Sequence, residues 1–252
     1  MEKIIFTIAL FILTYLPLSS DNIQIDKKIA DDFFISENYE KAAKLYEVIA
    51  SETENADIYY NLGNTYYRMN NLPKAILNYR RAYRIAPEDQ DIVHNLQLCQ
   101  SQLKDQFDVP QEMFFISWLN SLIKSRSAHN WRLIGMVSFI LIFLSFGYYI
   151  YGQHLLRRKI SFISSTIFCL LFIICQIFAY IQHKNASSIQ EVIIIKPIQT
   201  YSSPSLTSQK VRNLNEGTTL VVKENFTKGW IQIEMPDKSE AWIQNSTDIE
   251  YV

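Results

Sequence analysis

Apolar and polar positions follow four different patterns along the chain, and each predicts a different kind of element. Residues 4–18 are mostly apolar and follow a short start that carries Lys3. Pro17, Leu18, Ser19 and Ser20 then precede Asp21. This predicts a secretory signal over residues 1–20, either cleaved near Ser20 or retained as an anchor. From 21 to 107 apolar residues recur at helical spacing, which predicts packed amphipathic helices. Residues 133–152 and 160–181 contain no formal charge. Each is long enough, at about 1.5 Å per residue, to cross roughly 30 Å of hydrocarbon. Residues 153–159 join them and predict a tight turn. Beyond 184 the pattern changes again. Runs at 189–195, 218–222, 230–235 and 241–244 are short and rich in Ile, Val and Trp. Glu216-Gly217, Lys228-Gly229 and Pro236-Asp237-Lys238 punctuate them as turns, so this part predicts short strands of a small β-barrel. The expected chain is therefore multidomain: an all-α unit at 21–107, a linker at 108–130, a two-helix transmembrane hairpin at 131–182 and an all-β barrel at 187–252.

Within the helical part, one block has fixed internal spacing. Tyr59-x2-Leu62-Gly63-x2-Tyr66 is followed by Ala75-x3-Tyr79, Ala82 and Pro87. Leu62 and Tyr66 lie one turn apart on a first helix. Gly63 and Ala75 are small where two antiparallel helices cross, Tyr79 and Ala82 face the same seam, and Pro87 ends the second helix. The block resembles a tetratricopeptide repeat, with Tyr at the usual Trp and Phe positions. Upstream by 33 residues, Tyr39, Ala42, Tyr46 and Ile49 echo Leu72, Ala75, Tyr79 and Ala82. Ala30 and Phe33 fit a preceding helix; Val93, Leu96 and Leu98 fit a closing one. The resemblance implies an all-α solenoid of two repeats and a closing helix. It also implies a concave groove lined mainly from the first helix of each repeat. By register that face offers Tyr60, Asn64, Tyr67 and Arg68, with Asn64 suited to an extended backbone and Arg68 to a carboxylate. The competing reading is a plain solvated helix face.

Between 113 and 124 the apolar residues Met113, Phe114, Phe115, Ile116, Trp118, Leu119, Leu122 and Ile123 recur at helical spacing among polar ones. This amphipathic helix would either lie in the membrane interface, with Trp118 at headgroup level, or pack on the repeat unit. Ser125 or Ser127 would cap the helix that follows. The β segment resembles a bacterial SH3-like domain through Tyr201-Ser-Ser-Pro204, Leu214-Asn-Glu-Gly217-Thr218, Gly229-Trp230-Ile231 and Ala241-Trp242-Ile243. That resemblance implies Tyr201, Trp230 and Trp242 as candidate ligand aromatics. The alternative for Trp230 and Trp242 is core packing.

Charge and composition narrow the function. The 252 residues carry a formal net charge of −1, and no basic stripe is interleaved with aromatics, so a nucleic-acid role is not expected. Cys99, Cys169 and Cys175 build no disulfide framework, and His94, His129, His154 and His183 have no metal-ligand spacing. No Gly-rich phosphate loop, HExxH or CxxC pair appears, so no catalytic residue, metal or cofactor is expected. A transporter is disfavoured because neither span contains an acidic or basic residue. Gln176 is the one strongly polar side chain within a span and would act as helix–helix glue.

The order of parts is similar to the E protein of the Bacteroides aerotolerance (Bat) operon family. That resemblance implies an inner-membrane protein beside von Willebrand-type membrane partners and a MoxR-type AAA+ ATPase. A signal followed by two spans puts both soluble parts on the periplasmic side, and Arg157-Arg158-Lys159 in the turn agree with the positive-inside rule. The expected function is a membrane-anchored adaptor. The alternative is a module that binds the cell envelope through peptidoglycan.

Overall fold

The computed structural model describes residues 20–110, 113–188, 190–226 and 229–252. The signal-like segment lies outside them save for Ser20, as does Lys228. Five helices form the N-terminal unit: α1 (Ser20–Ile35), α2 (Tyr39–Glu52), α3 (Ala56–Arg68), α4 (Leu72–Ile85) and α5 (Gln90–Ser101). Each packs on the next in sequence, as a solenoid requires. Asparagine and aspartate start the last three of them. The side chains of Asn55, Asn71 and Asp89 accept hydrogen bonds from the first-turn amides of α3, α4 and α5, which satisfies donors the helix itself leaves open.

The turn between the helices of each repeat is the same device used twice. Glu37 and Asn70 both adopt positive φ, 60° and 57°. The amide of Asn38 bonds the Phe33 carbonyl at 2.9 Å, and that of Asn71 bonds the Tyr66 carbonyl at 2.9 Å. Every pair is 33 residues apart, so the weaker first repeat has the backbone geometry of the second. The seam is as tight as Gly63 and Ala75 predict. A Cβ on Gly63 would stand 2.7 Å from the Tyr79 ring, closer than a real side chain tolerates. Ala75 and Ala82 are fully buried.

Three helices follow: α6 (Phe114–Lys124), α7 (Ala128–Tyr151) and α8 (Leu155–Ser188). Ser127 caps α7 by accepting from the Asn130 amide. The hairpin α7–α8 closes where small residues meet. Ser164 donates to Ser145 at 3.0 Å, and Gly135 faces Cys175 and Gln176 so closely that a Cβ would lie 3.2 Å from the Gln176 amide nitrogen. The turn is shorter than its seven-residue expectation. Gly152, Gln153 and His154 make it, and Arg157, Arg158 and Lys159 belong to the opening turns of α8, because their apolar neighbours continue the helical run without a breaker. Helix α6 packs on α8. The Trp131 indole donates to the Ile123 carbonyl at 3.0 Å, while Phe114, Phe115 and Trp118 stay exposed.

The C-terminal unit is one antiparallel sheet of β1 (Glu191–Ile194), β2 (Ile198–Tyr201), β3 (Lys210–Leu214), β4 (Thr219–Phe226), β5 (Trp230–Glu234), β6 (Glu240–Gln244) and β7 (Ile249–Tyr251). Its order is β3-β2-β6-β5-β4-β1-β7. Val192, Leu214, Leu220, Ile231, Ile243 and Ile249 share one core, so the sheet curls round on itself. Gly217 and Gly229 take positive φ, 86° and 77°, where a side chain would be strained.

The sheet is docked onto α4. Val192 and Ile194 point into the β core, whereas Ile193 between them is buried in the repeat core. Arg80 pairs with Glu191 at 3.3 Å. Arg81 and Arg84 donate to the main-chain oxygens of Tyr251 and Val252 at 2.7 and 2.9 Å. The segment after α5 straps the two units together. Leu103 packs over Gly217, where an added Cβ would lie 2.5 Å away, and Phe107 packs against the β core. Asp105 accepts from the Asn215 amide at 2.7 Å, the Asn215 side chain at 2.6 Å and the Thr218 hydroxyl at 2.7 Å.

Burial raises the pKa of Asp105, but the hydrogen bonds from Asn215 and Thr218 lower it more, so the carboxyl sits below its ordinary value. A depressed carboxylate adds stability that is complete above its unfolded value, near 3.9, and is lost as pH falls through the folded one. Strapping is therefore expected to weaken below about pH 4. Asp105→Asn replaces one acceptor with a donor and should produce the same weakening at pH 7. The expected cost is about 1–2 kcal/mol for a part-buried, charge-assisted contact. Amide exchange at Asn215 reads it directly; equal protection in parent and variant would refute the strap.

Candidate functional site

The four groove residues read from the register lie on α3, but they do not form one free patch. Tyr60 is half-buried; its ring packs 5.9 Å from Tyr79, and its hydroxyl accepts from Asn95 at 3.2 Å. Asn64 accepts from the Tyr79 hydroxyl at 2.6 Å and from the Asn95 side chain at 3.0 Å. Tyr67 is exposed and accepts from Gln102 at 3.3 Å. Arg68 is exposed, with its guanidinium 5.9 Å from the Tyr39 ring, and no carboxylate pairs with it among the described residues.

Asn64 is part of a repeated polar rung. One repeat earlier the equivalent position is Asp31, which accepts from the Tyr46 hydroxyl and, at 3.5 Å, from Asn61. Asp31 and Asn64 are 33 residues apart, as are Tyr46 and Tyr79, and Asn61 and Asn95 are 34 apart. Each rung joins a first-helix acceptor, the buried tyrosine of the second helix and an asparagine of the next first helix. Burial first, and then Asp31, pushes the Tyr46 phenol well above its ordinary pKa; burial does the same to Tyr79. Both hydroxyls therefore remain donors at any ordinary pH. The expectation that Asn64 is a spare recognition group is corrected on this point: its oxygen is committed to the fold. Asp31, Asn61, Asn95 and Gln102 complete this surface and were missed by the sequence reading. The 33-residue register that matched the tyrosines would have found Asp31.

The β-unit aromatics lie together on the outer face of the sheet. Ile231, Ile233, Ala241 and Ile243 fill the core, and alternation along β5 and β6 turns Trp230 and Trp242 the other way. Tyr201 stands opposite Trp242 in register, with its ring 5.5 Å from Trp230, edge to face. Trp230 is buried there, and Tyr201 and Trp242 are half-buried. Trp230 is thus buried against Tyr201 on the outer face, apart from the inner β core, and Trp242 is only partly covered.

Among the described residues no group of His, Cys, Asp and Glu could hold a metal ion. Burial pushes the Cys99 thiol up to about 11, which leaves it inert at neutral pH.

The architecture is a helical repeat unit, two long apolar helices and an antiparallel β unit in one chain. A family model for the tetratricopeptide repeat matches residues 56–89, the α3–α4 pair and its flanks. Repeats of this kind commonly serve protein–protein interaction through their concave surface. A search of curated proteins finds no match to the chain.

The rung makes a specific prediction. Asn64→Ala leaves the buried Tyr79 hydroxyl without its acceptor and should cost about 1–3 kcal/mol. Asn64→Asp keeps an acceptor for that hydroxyl, as Asp31 does in the equivalent place, but lacks the lysine that pairs with Asp31, so it should recover only part of the loss at neutral pH. Arg68→Ala should stay within about 0.5 kcal/mol of the parent. Denaturant midpoints of the full chain distinguish the three.

Proposed function

We propose that this protein is a non-enzymatic, membrane-anchored adaptor that holds an extended segment of a protein partner along the first-helix face of its repeats. The observation that carries this reading is which face of the repeat stays uncovered. The β unit occupies the α4 side, while Tyr67 and Arg68 on α3 remain exposed and no carboxylate pairs with Arg68 among the described residues. Arginine beside tyrosines is a composition that dominates interface energies. The rung holds α3 and α5 in place behind those residues, so the surface is preformed.

Anchoring rests on α7 and α8. Both are long and apolar enough to cross a membrane, and only 11% of the apolar window of each is buried in the fold. A soluble core helix of that length would be covered on most sides. The exposed Phe114, Phe115 and Trp118 of α6 fit the interface beside them. Two spans return the chain to the side it left, and the strap between repeat and β unit requires both on one face of the bilayer. The signal-like segment and the resemblance to the Bat-family E protein favour the periplasmic face of an inner membrane. By that resemblance the partners are von Willebrand-type membrane proteins working with a MoxR-type ATPase.

One observation favours a second reading. Tyr201, Trp230 and Trp242 cluster outside the β core, as a small SH3-like platform for peptidoglycan peptides would. Removing residues 187–252 does not separate the readings, because Ile193 is part of the repeat core. Point changes do. Arg68→Glu should lower recovery of crosslinked partner from native membranes about tenfold, equivalent to about 1.4 kcal/mol, while Tyr201→Ala leaves it unchanged. Loss with Tyr201→Ala alone, together with lost retention on purified cell wall, would replace the adaptor with the envelope binder.

Sidedness is tested with single cysteines in a background lacking Cys99, Cys169 and Cys175. Gln97 and Gln244 are exposed helix and strand positions and suit the purpose; Asn70 and Lys238 do not, because both have positive φ. Cysteines at 97 and 244 should react with an impermeant reagent added to intact spheroplasts, and one at Gln153 should not. Labelling at only one of the two soluble units would overturn the hairpin.

A further inference from the structure

The turn end of the hairpin carries a feature that anchoring alone does not require. Arg157, Arg158 and Lys159 are consecutive and exposed, and no carboxylate pairs with them among the described residues. The chain contains no Asp or Glu anywhere from 113 to 190, so the neighbouring sequence supplies no counter-ion. Next to them, Tyr149, Leu155, Arg158, Lys159, Phe162 and Ile163 line an open groove of about 440 Å³.

The groove is polar at one end and apolar at the other. The Arg158 guanidinium lies 5.1 Å over the Tyr149 ring, and that ring lies 5.9 Å from Phe162. Leu155, Phe162 and Ile163 are 72%, 58% and 58% exposed. From Lys159 to Phe162 and Ile163 the helix rises about 5 Å. A phosphate at the cations therefore leaves the first methylenes of a lipid chain level with the apolar wall.

We propose that this groove binds one anionic phospholipid of the leaflet on the turn side. Arg158 and Lys159 hold its phosphate, Arg157 adds to the attracting field, and Phe162, Ile163 and Leu155 cover the upper part of an acyl chain. Basic residues at a membrane surface favour anionic lipid. A zwitterionic lipid brings its own ammonium against the same three cations, so the site discriminates by headgroup charge. The proposal rests on the reading that α7 and α8 span the bilayer.

The test uses the full chain purified in mild detergent and titrated with phosphatidylglycerol or phosphatidylcholine, with bound lipid counted by native mass spectrometry. Phosphatidylglycerol should bind at least tenfold more tightly than phosphatidylcholine. The Arg158→Gln/Lys159→Gln variant should lose that preference, and Lys124→Gln/Arg126→Gln, at the other end of the hairpin, should keep it. Equal binding of the two lipids, or a preference that survives in the first variant, overturns the site. Thermal protection by inorganic phosphate equal to that by phosphatidylglycerol overturns the lipid as ligand in favour of free phosphate. Alkaline carbonate extraction separates the two levels. A chain released by carbonate overturns the span and the site with it, whereas a retained chain without lipid preference overturns the site alone.

Discussion

Ile193 is the side chain on which the arrangement of the soluble parts depends. It sits on β1, whose other face, Val192 and Ile194, completes the β core, yet Ile193 itself is fully buried in the repeat core. Burying one such side chain contributes about 1.5–3 kcal/mol. The larger effect is geometric: the strand cannot leave α4 without opening two cores at once. Polar contacts then surround this apolar centre. Arg80 meets Glu191, Arg81 and Arg84 cover main-chain oxygens at β7, and Asp105 holds the turn before β4. β7 is an edge strand, and the two guanidiniums occupy acceptors that an edge would otherwise present to other chains.

The same docking orients the repeat unit on the hairpin. Only residues 189 and 190 separate α8 from β1, so the strand leaves directly from the end of a long helix. At the other exit, the Asn130 side chain at the start of α7 donates to Glu88 at 2.7 Å, in the turn before α5. The Gln182 side chain on α8 donates to the Arg126 carbonyl at 3.2 Å. The repeat is therefore held by its α4–α5 turn to one helix and, through β1, to the other. A surface fixed in this way loses less freedom on binding than one on a flexible stalk.

What was legible in the sequence divides along physical lines. The long elements were read from their pattern: the Gly63 seam, the 33-residue echo and the two apolar helices all stand in the structure. β1 was legible as a strand but not as one buried on both faces, although its unbroken apolar run at 192–195 is the signature of that state. β2, β3 and β7 were missed. They have three to five residues, and β3 is exposed along most of its length, so it carries no alternation to read. The strap at 103–107 was invisible for a different reason. Asp105 bonds residues 110 and 113 positions away, and no local pattern encodes a contact so distant.

Asn64 shows the limit most clearly. Its type and register matched a recognition residue, and it does lie on the expected face. Its oxygen nevertheless receives two donors from inside the fold, and the same rung recurs at Asp31. A polar side chain on a groove face can thus serve the scaffold, which leaves Tyr67 and Arg68 as the recognition residues of the proposed adaptor. The exchange of Asp31 for Asn64 between the two rungs has its own logic. Both are acceptors to a buried tyrosine, but Asp31 has Lys27 at 3.5 Å to balance its charge, and Asn64 has no cation among its hydrogen-bond partners. A carboxylate is kept where Lys27 pairs with it, and the neutral amide serves where the cation one turn away, Arg68, lies over the Tyr39 ring instead, in keeping with the cost of burying an unpaired charge.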